Sequence, residues 1–248
     1  MKKNAYVVMN HYLMNSDMEQ MALDAIHSFR DTCDAEIVSV DDGSPYTTEK
    51  IKNASDHFIK LYENQGFAKS VNAGFNFILD NFKDCFIVYA NNDIMVEGTW
   101  FGKFIKLLEE GADMVGGLGY RTKGQGPIPD NHVISEGGRL NDWMFPGGFY
   151  MTTDKLFREL GIYDENYIHG SIEDIDLFWR AKQAKKKLIM SAGVTYWHKE
   201  GATRYSPTLR EYNKEMEIKN IKYFESKHGF NPIKHLNNKI LTDTHINI

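Results

Sequence analysis

The chain has 248 residues, 42% of them hydrophobic and 25% charged, proportions that suit one α/β domain with a substantial core rather than a disordered or fibrous chain. A formal charge of -5 and a pI near 6.0 give no broad basic field, so polymeric nucleic acid is not an expected partner. Two cysteines, Cys33 and Cys85, make neither a disulfide framework nor a metal-binding spacing, which fits a cytoplasmic setting, and no apolar run approaches the roughly 20 residues that span a bilayer, so membrane contact would be peripheral.

Ala5 to Asn10 is an apolar run suited to a buried strand, and Ser16 with Glu19 forms a capping box that predicts a helix carrying Met18, Met21, Ala22, Ala25, Ile26 and Phe29. A second strand, Ala35 to Val40, stops at the turn formers Asp41, Asp42, Gly43, Ser44 and Pro45. Strand, helix, strand implies a parallel pair, and in such sheets the ligand crevice lies beyond the carboxyl ends of the strands, where Asn10 to Tyr12 and Asp41 to Ser44 both fall. His57 to Tyr62 alternates like a third strand, and a helix is expected from about Ala68 to Asn81 after a turn at Gly66. The glycines here fit neither GxGxxG nor a P-loop, which argues against a dehydrogenase or kinase. Phe86 to Ala90 is a fourth strand that runs into the polar triplet Asn91, Asn92 and Asp93, with a helix from about Thr99 to Glu110 behind it.

Met114 to Leu118 closes the first half, and residues 119–143 read as a long Gly-, Pro- and Asn-rich surface segment. Pro146, Gly147, Gly148 and Phe149 introduce a short strand, and Thr153 caps a helix to about Leu160. Glu173, Asp174 and Asp176 then crowd the first turn of a helical pattern whose apolar stripe is Ile175, Phe178 and Trp179; acids favour a helix N-terminus on electrostatic grounds alone, but crowded carboxylates also shift each other's proton affinity. A strand at Leu188 to Met190, a turn at Ala192 and Gly193 and a second strand ending on His198 follow, and Ser206 with Pro207 starts a last helix to about His228.

In this order the stretches resemble glycosyltransferase family 2, inverting enzymes that use nucleotide-diphosphate sugars. The resemblance spans Ala5 to Gly201 and rests on Asn10 to Tyr12, on Asp41-Asp42-Gly43-Ser44, on Asn64, Gly66, Ala68, Asn72 and Gly74, on Asn91 to Asp93, and on Glu173 to Arg180 followed by Trp197-His198. It implies a GT-A fold: a Rossmann-like, mostly parallel central sheet flanked by helices, with a smaller acceptor-side sheet. It also implies one domain over residues 1–248, comprising a nucleotide-binding half (1–118), an acceptor and catalytic half (119–205) and a C-terminal helix and tail (206–248).

Carried over residue by residue, the resemblance places Asn10, Tyr12, Asp41, Asp42, Gly66, Lys69, Asn72, Asn91 and Asn92 at the nucleotide of a UDP- or dTDP-sugar. Asp42 would accept the imide N3–H of uracil or thymine, which cytosine lacks. Asp93 and His198 would hold Mn²⁺ or Mg²⁺ at the diphosphate, although Asn91 stands where many members have a first aspartate, as in a rhamnosyltransferase-like Asn-Asn-Asp subgroup. Asp174 matches the base that takes a proton from a hydroxyl of a glycan or lipid-linked saccharide acceptor, with Glu173 and Asp176 beside it in the catalytic turn and Arg180 pairing with Asp176. Two other readings compete: a nucleotidyltransferase, disfavoured by the lack of a glycine-rich basic stretch after the first strand, and a degenerate, non-catalytic sugar-nucleotide or glycan-binding protein.

Overall fold

In the computed structural model, which describes residues 4–121, 147–198 and 210–234, the N-terminal apolar run becomes β1 (Ala5–His11). The chain continues through α1 (Ser16–Thr32), β2 (Glu36–Asp42), α2 (Glu49–Ala54), β3 (His57–Leu61), α3 (Phe67–Asn81), β4 (Phe86–Ala90), β5 (Ile94–Val96), α4 (Trp100–Glu109) and β6 (Met114–Arg121). After the undescribed residues 122–146 come β7 (Phe149–Thr153), α5 (Asp154–Leu160), α6 (Glu173–Gln183), β8 (Leu188–His198) and α7 (Arg210–His228). The expected start of the last helix, Ser206 and Pro207, and most of the segment 119–143 lie outside the described residues.

Among the described residues the strands form one sheet in the order β3-β2-β1-β4-β7-β6-β8-β5. Neighbours from β3 to β4 are parallel, β7 runs antiparallel to both β4 and β6, β6 and β8 are parallel, and β5 closes the far edge as a short antiparallel ribbon with the end of β8. That ribbon takes the place of the smaller acceptor-side sheet. Period-two alternation divides the core between the two faces: Ala5, Val7 and Met9 with Phe86, Val88 and Ala90 meet α1 and α4 on one side, while Tyr6, Val8, Ile87 and Tyr89 meet α3, α5 and α6 on the other. Both faces of the central strands are therefore covered, which is why they read as continuous apolar runs.

The structure corrects two details. Asn15 rather than Ser16 caps α1, its side-chain oxygen accepting from Met18 N at 3.0 Å, so the helix begins at the residue that the capping-box reading assigned to the cap. No turn interrupts Leu188 to His198; Ala192 and Gly193 lie within β8, where the register against β6 jumps from Gly117–Ser191 to Gly119–Thr195, a bulge that absorbs the glycine without breaking the strand. Gly74 marks the closest approach of α3 to the sheet, since a Cβ there would lie 2.6 Å from Val8 Cγ1 and 3.1 Å from Val40 Cγ2. Gly74→Ala is expected to destabilise the fold by about 1–3 kcal/mol through overpacking, seen as a lower midpoint in a circular-dichroism melt; an unchanged midpoint would contradict this packing.

Candidate active site

Parallel strands β1 to β4 end on the same edge of the sheet, which brings Asn10, Asp41, Asp42 and Asn91 together from distant parts of the sequence. The two adjacent aspartates do different jobs. Asp41 is buried and committed to its own turn, accepting from Ser44 N at 2.9 Å and from Thr48 Oγ1 at 3.0 Å. Asp42 accepts the backbone amides of Gln65 at 2.7 Å and Gly66 at 3.1 Å, so it fixes the turn that opens α3. Burial pushes its carboxyl up to about 7, with Asp41 adding to the rise and the two amide hydrogen bonds opposing it. Gly66 occupies φ 85° with the backbone of His169 against it, where a Cβ would lie 2.9 Å from His169 Cα, so the turn has room only for glycine.

Beyond β4 a chain of polar groups crosses the strand ends. Burial keeps the Tyr89 phenol well above its ordinary pKa, hence neutral, and its hydroxyl faces Asn91 Oδ1 at 2.6 Å and Asn10 Oδ1 at 3.1 Å. With its oxygen taken by Tyr89, Asn91 turns Nδ2 toward His198 Nε2 at 3.2 Å. An amide nitrogen only donates, so this contact is made with the His198 tautomer whose Nε2 carries a lone pair, which is also the form a metal ligand requires. Asp93 Oδ1 lies 3.0 Å from the same Nε2, is buried, and receives no hydrogen bond from any of the described residues. Neighbouring donors of a divalent cation bound at about 2.1 Å in octahedral geometry stand about 3 Å apart, so the pair fits such an ion. Among the described residues no three His, Cys, Asp or Glu side chains gather as a complete site, so the remaining ligands would be diphosphate oxygens and water.

Gly147 and Gly148, just before β7, join this pair to the acids of α6. A Cβ on Gly148 would lie 3.0 Å from Asn91 Nδ2 and 3.3 Å from His198 Cε1, and one on Gly147 would overlap the Asp174 carboxylate. Gly148 O also accepts from Asn91 N at 2.8 Å. One dipeptide without side chains thus separates Asp174 from the Asn91–His198–Asp93 group. The sequence showed these glycines only as the lead into a strand; a Gly-Gly pair at a strand start marks a close approach of backbone to a site.

The remaining residues divide between the crevice and its scaffold. Asn10 also contacts Ser70 Oγ at 3.4 Å; Tyr12 and Asn92 are partly exposed on the loops after β1 and β4, and Lys69 is exposed on the first turn of α3. Asn72, expected at the nucleotide, is 1% exposed and gives its amide to the Tyr163 backbone, with Nδ2 to Tyr163 O at 2.8 Å and Oδ1 to Tyr163 N at 3.1 Å. Glu173 is buried beside Asp174, whose Oδ1 accepts from Ile175 N at 2.8 Å. Asp176 is fully buried and faces Arg180 Nε at 2.7 Å, as expected, together with His228 Nε2 at 2.7 Å, Lys227 Nζ at 2.8 Å and Tyr167 OH at 3.1 Å. Burial alone would raise its pKa, but Lys227, His228 and Arg180 outweigh burial and hold the carboxyl below its ordinary value. Asp176 therefore anchors the helix rather than facing the crevice.

Residues 11–165, well over half of the chain, match the profile of Glycosyl transferase family 2. The chain belongs to this family. No curated protein matches its sequence. Among solved structures it resembles S. aureus TarS 1–349 at 15% identity and a TM-score of 0.61, covering 90% of this chain and 72% of that one; the UDP complex of the same protein gives 14% identity and a TM-score of 0.62 over the same shares. GalNAc-T7, solved with UDP, GalNAc and Mn²⁺, aligns at 17% identity and a TM-score of 0.63 over 89% of this chain, which spans about half, 48%, of that one. At such identities the likeness is one of fold, and the fold of this family 2 glycosyltransferase is GT-A.

The place at the nucleotide base that the resemblance implies for Asp42 predicts a pH dependence of binding. Only the ionised carboxylate accepts an imide N3–H, whereas the protonated acid donates, and cytosine N3 accepts. With a pKa of about 7, UDP affinity is expected to rise about tenfold from pH 6 to pH 8 while CDP affinity falls, as measured by titration calorimetry. The dependence should vanish in Asp42→Asn; the same slope in that variant would assign it to another group.

Proposed function

We propose that this glycosyltransferase moves a sugar, with inversion at the anomeric carbon, from a UDP- or dTDP-sugar to a hydroxyl of a glycan or lipid-linked saccharide. The observation that carries the reading is the Gly147-Gly148 junction, which sets the Asp174 carboxylate beside the Asp93–His198 pair. A single displacement needs a proton acceptor on one side of the reacting carbon and a stabilised leaving group on the other. Asp174 takes the proton of the acceptor hydroxyl as its oxygen bonds to the anomeric carbon, and the bond to the diphosphate breaks with its electron pair leaving on the nucleotide. Asp93 and His198 would hold Mn²⁺ or Mg²⁺, which when bound neutralises the charge of the departing diphosphate. Asp42 receives the base, Asn10, Tyr12 and Asn92 line the nucleotide crevice, and Lys69 faces solvent within reach of a phosphate. Asn91 sets the ring of His198. Glu173 supports the catalytic turn and Asp176 holds it in place.

The Asn-Asn-Asp triplet favours membership of the rhamnosyltransferase-like group and hence a deoxysugar donor. Among the described residues no helix is long and apolar enough to cross a membrane. Cys33 and Cys85 are free, and burial pushes their thiols up to about 11 and about 12, which suits an unreactive pair in a cytoplasmic protein. The test is a panel of UDP- and dTDP-sugars with Mn²⁺ and saccharide acceptors, read as nucleotide release and as the anomeric proton coupling of the product. Inverted product is expected; retention would refute the single displacement, and tight donor binding with no turnover on any acceptor would favour the degenerate binding protein.

A further inference from the structure

The backbone that delivers Asp174 is unusual in a way that the reaction does not explain. His169, Gly170, Ser171 and Ile172 all lie at positive φ, at 58°, 113°, 87° and 78°, and only one of the four is glycine. Consecutive left-handed residues with side chains persist only where surrounding structure over-determines them. Ile172 is also the N-cap of α6, and its side chain makes no capping bond, so the direction in which Glu173 and Asp174 leave the loop is set by this strained run.

One side chain from α7 holds it. Asn220, 1% exposed, accepts Ile168 N on Oδ1 at 2.9 Å, and its Nδ2 donates to Ile168 O at 3.0 Å, Gly170 O at 3.1 Å and Ser171 O at 3.0 Å, two protons shared among three carbonyls. One and two turns further on, the same helix face grips the two ends of the segment: Tyr223 OH and Lys227 Nζ reach Asp164 at 2.9 Å and 2.7 Å, and Lys227 and His228 reach Asp176. On the other side, His169 abuts the donor turn at Gly66 and its ring meets Tyr212 of α7 edge-on at 5.0 Å. The α7 members of this network, Tyr212, Asn220, Tyr223, Lys227 and His228, all lie beyond residue 165, where the family match ends.

We propose that Asn220 is a positioning residue for catalysis, which through α7 fixes the left-handed run that aims Asp174 at the acceptor. This rests on the reading of Asp174 as the base. The side chain is buried and its amide is wholly engaged by the loop backbone, so its loss is expected to spare donor binding and misplace the base, and an error of about 1 Å at a reacting group lowers turnover by about 10²-fold.

Asn220→Ala is tested in the full chain against wild type and Asp174→Asn. The readouts are UDP affinity in Mn²⁺, kcat and acceptor KM for the active donor with a p-nitrophenyl glycoside, and amide hydrogen exchange over residues 168–176. Expected are UDP affinity within about twofold, kcat lowered about tenfold or more at nearly constant KM, faster exchange in that segment, and partial recovery of kcat on adding Ser171→Gly, because glycine accepts positive φ without strain. Should Asn220→Ala fail to fold, Asn220→Ser, which keeps one donor and one acceptor, takes its place in every comparison. Wild-type kcat and exchange in the Asn220 variant, with Asp174→Asn inactive, would overturn the proposal and leave the base assignment standing. Loss of kcat that Ser171→Gly does not relieve, with exchange unchanged, would also overturn it. An active Asp174→Asn beside faster exchange in Asn220→Ala would instead overturn the base assignment while the loop-holding role stands.

Discussion

Asp174→Asn is expected to lower sugar transfer by about 10²-fold or more while UDP affinity in Mn²⁺ stays within about twofold. Asparagine keeps the size of the side chain and its oxygen for the Ile175 amide, so the turn survives; only the capacity to take a proton is lost. Binding and turnover should therefore separate, with calorimetry for the first and nucleotide release for the second. Glu173→Gln provides the internal comparison, because Glu173 is the neighbouring acid of the same turn and is buried. Near-normal transfer by Asp174→Asn together with an inactive Glu173→Gln would move the role of base one residue upstream.

Asp93→Ala and His198→Ala are each expected to reduce Mn²⁺-dependent UDP binding by about 10²-fold or more. Losing even an outer hydrogen-bond partner of a metal ligand typically costs about 10- to 100-fold, and these residues would supply the two protein ligands themselves. Tyr89→Phe offers a graded version of the same test. It removes the hydroxyl that orients Asn91 toward His198 but leaves both ligands in place, so a loss of about tenfold is expected. All three effects should disappear when titrations are run in EDTA. Equal UDP affinity of wild type and Asp93→Ala in Mn²⁺ would remove the cation from this pair.

The parts of the site that could be read from the sequence are those where a short polar stretch interrupts an apolar strand. Asp41 and Asp42 at the end of β2, Asn91 to Asp93 after β4 and His198 at the end of β8 stand out because a buried strand tolerates such residues only where it leaves the core. Three kinds of feature stayed hidden. β5 has only three residues, too few to show a period, and exists because β8 pairs with it. Ala192 and Gly193 carry a turn signal in isolation, yet pairing with β6 overrides that local preference and turns it into a bulge. Asn72, which the resemblance places at the nucleotide, and Asn220, which looks like an ordinary polar helix residue, do work that lies 91 and 52 residues away, on the Tyr163 backbone and on the Ile168 carbonyl and amide. No local pattern encodes such contacts, whereas a buried asparagine whose amide is wholly engaged is plain once the fold is known.

A crystal grown with UDP and Mn²⁺ and measured at the manganese absorption edge tests the central claim most directly. A single anomalous peak is expected within about 2.2 Å of both Asp93 Oδ1 and His198 Nε2, with the diphosphate on its open side and uracil N3 against Asp42. Anomalous density away from both side chains, or uracil bound elsewhere than at Asp42, would contradict the account.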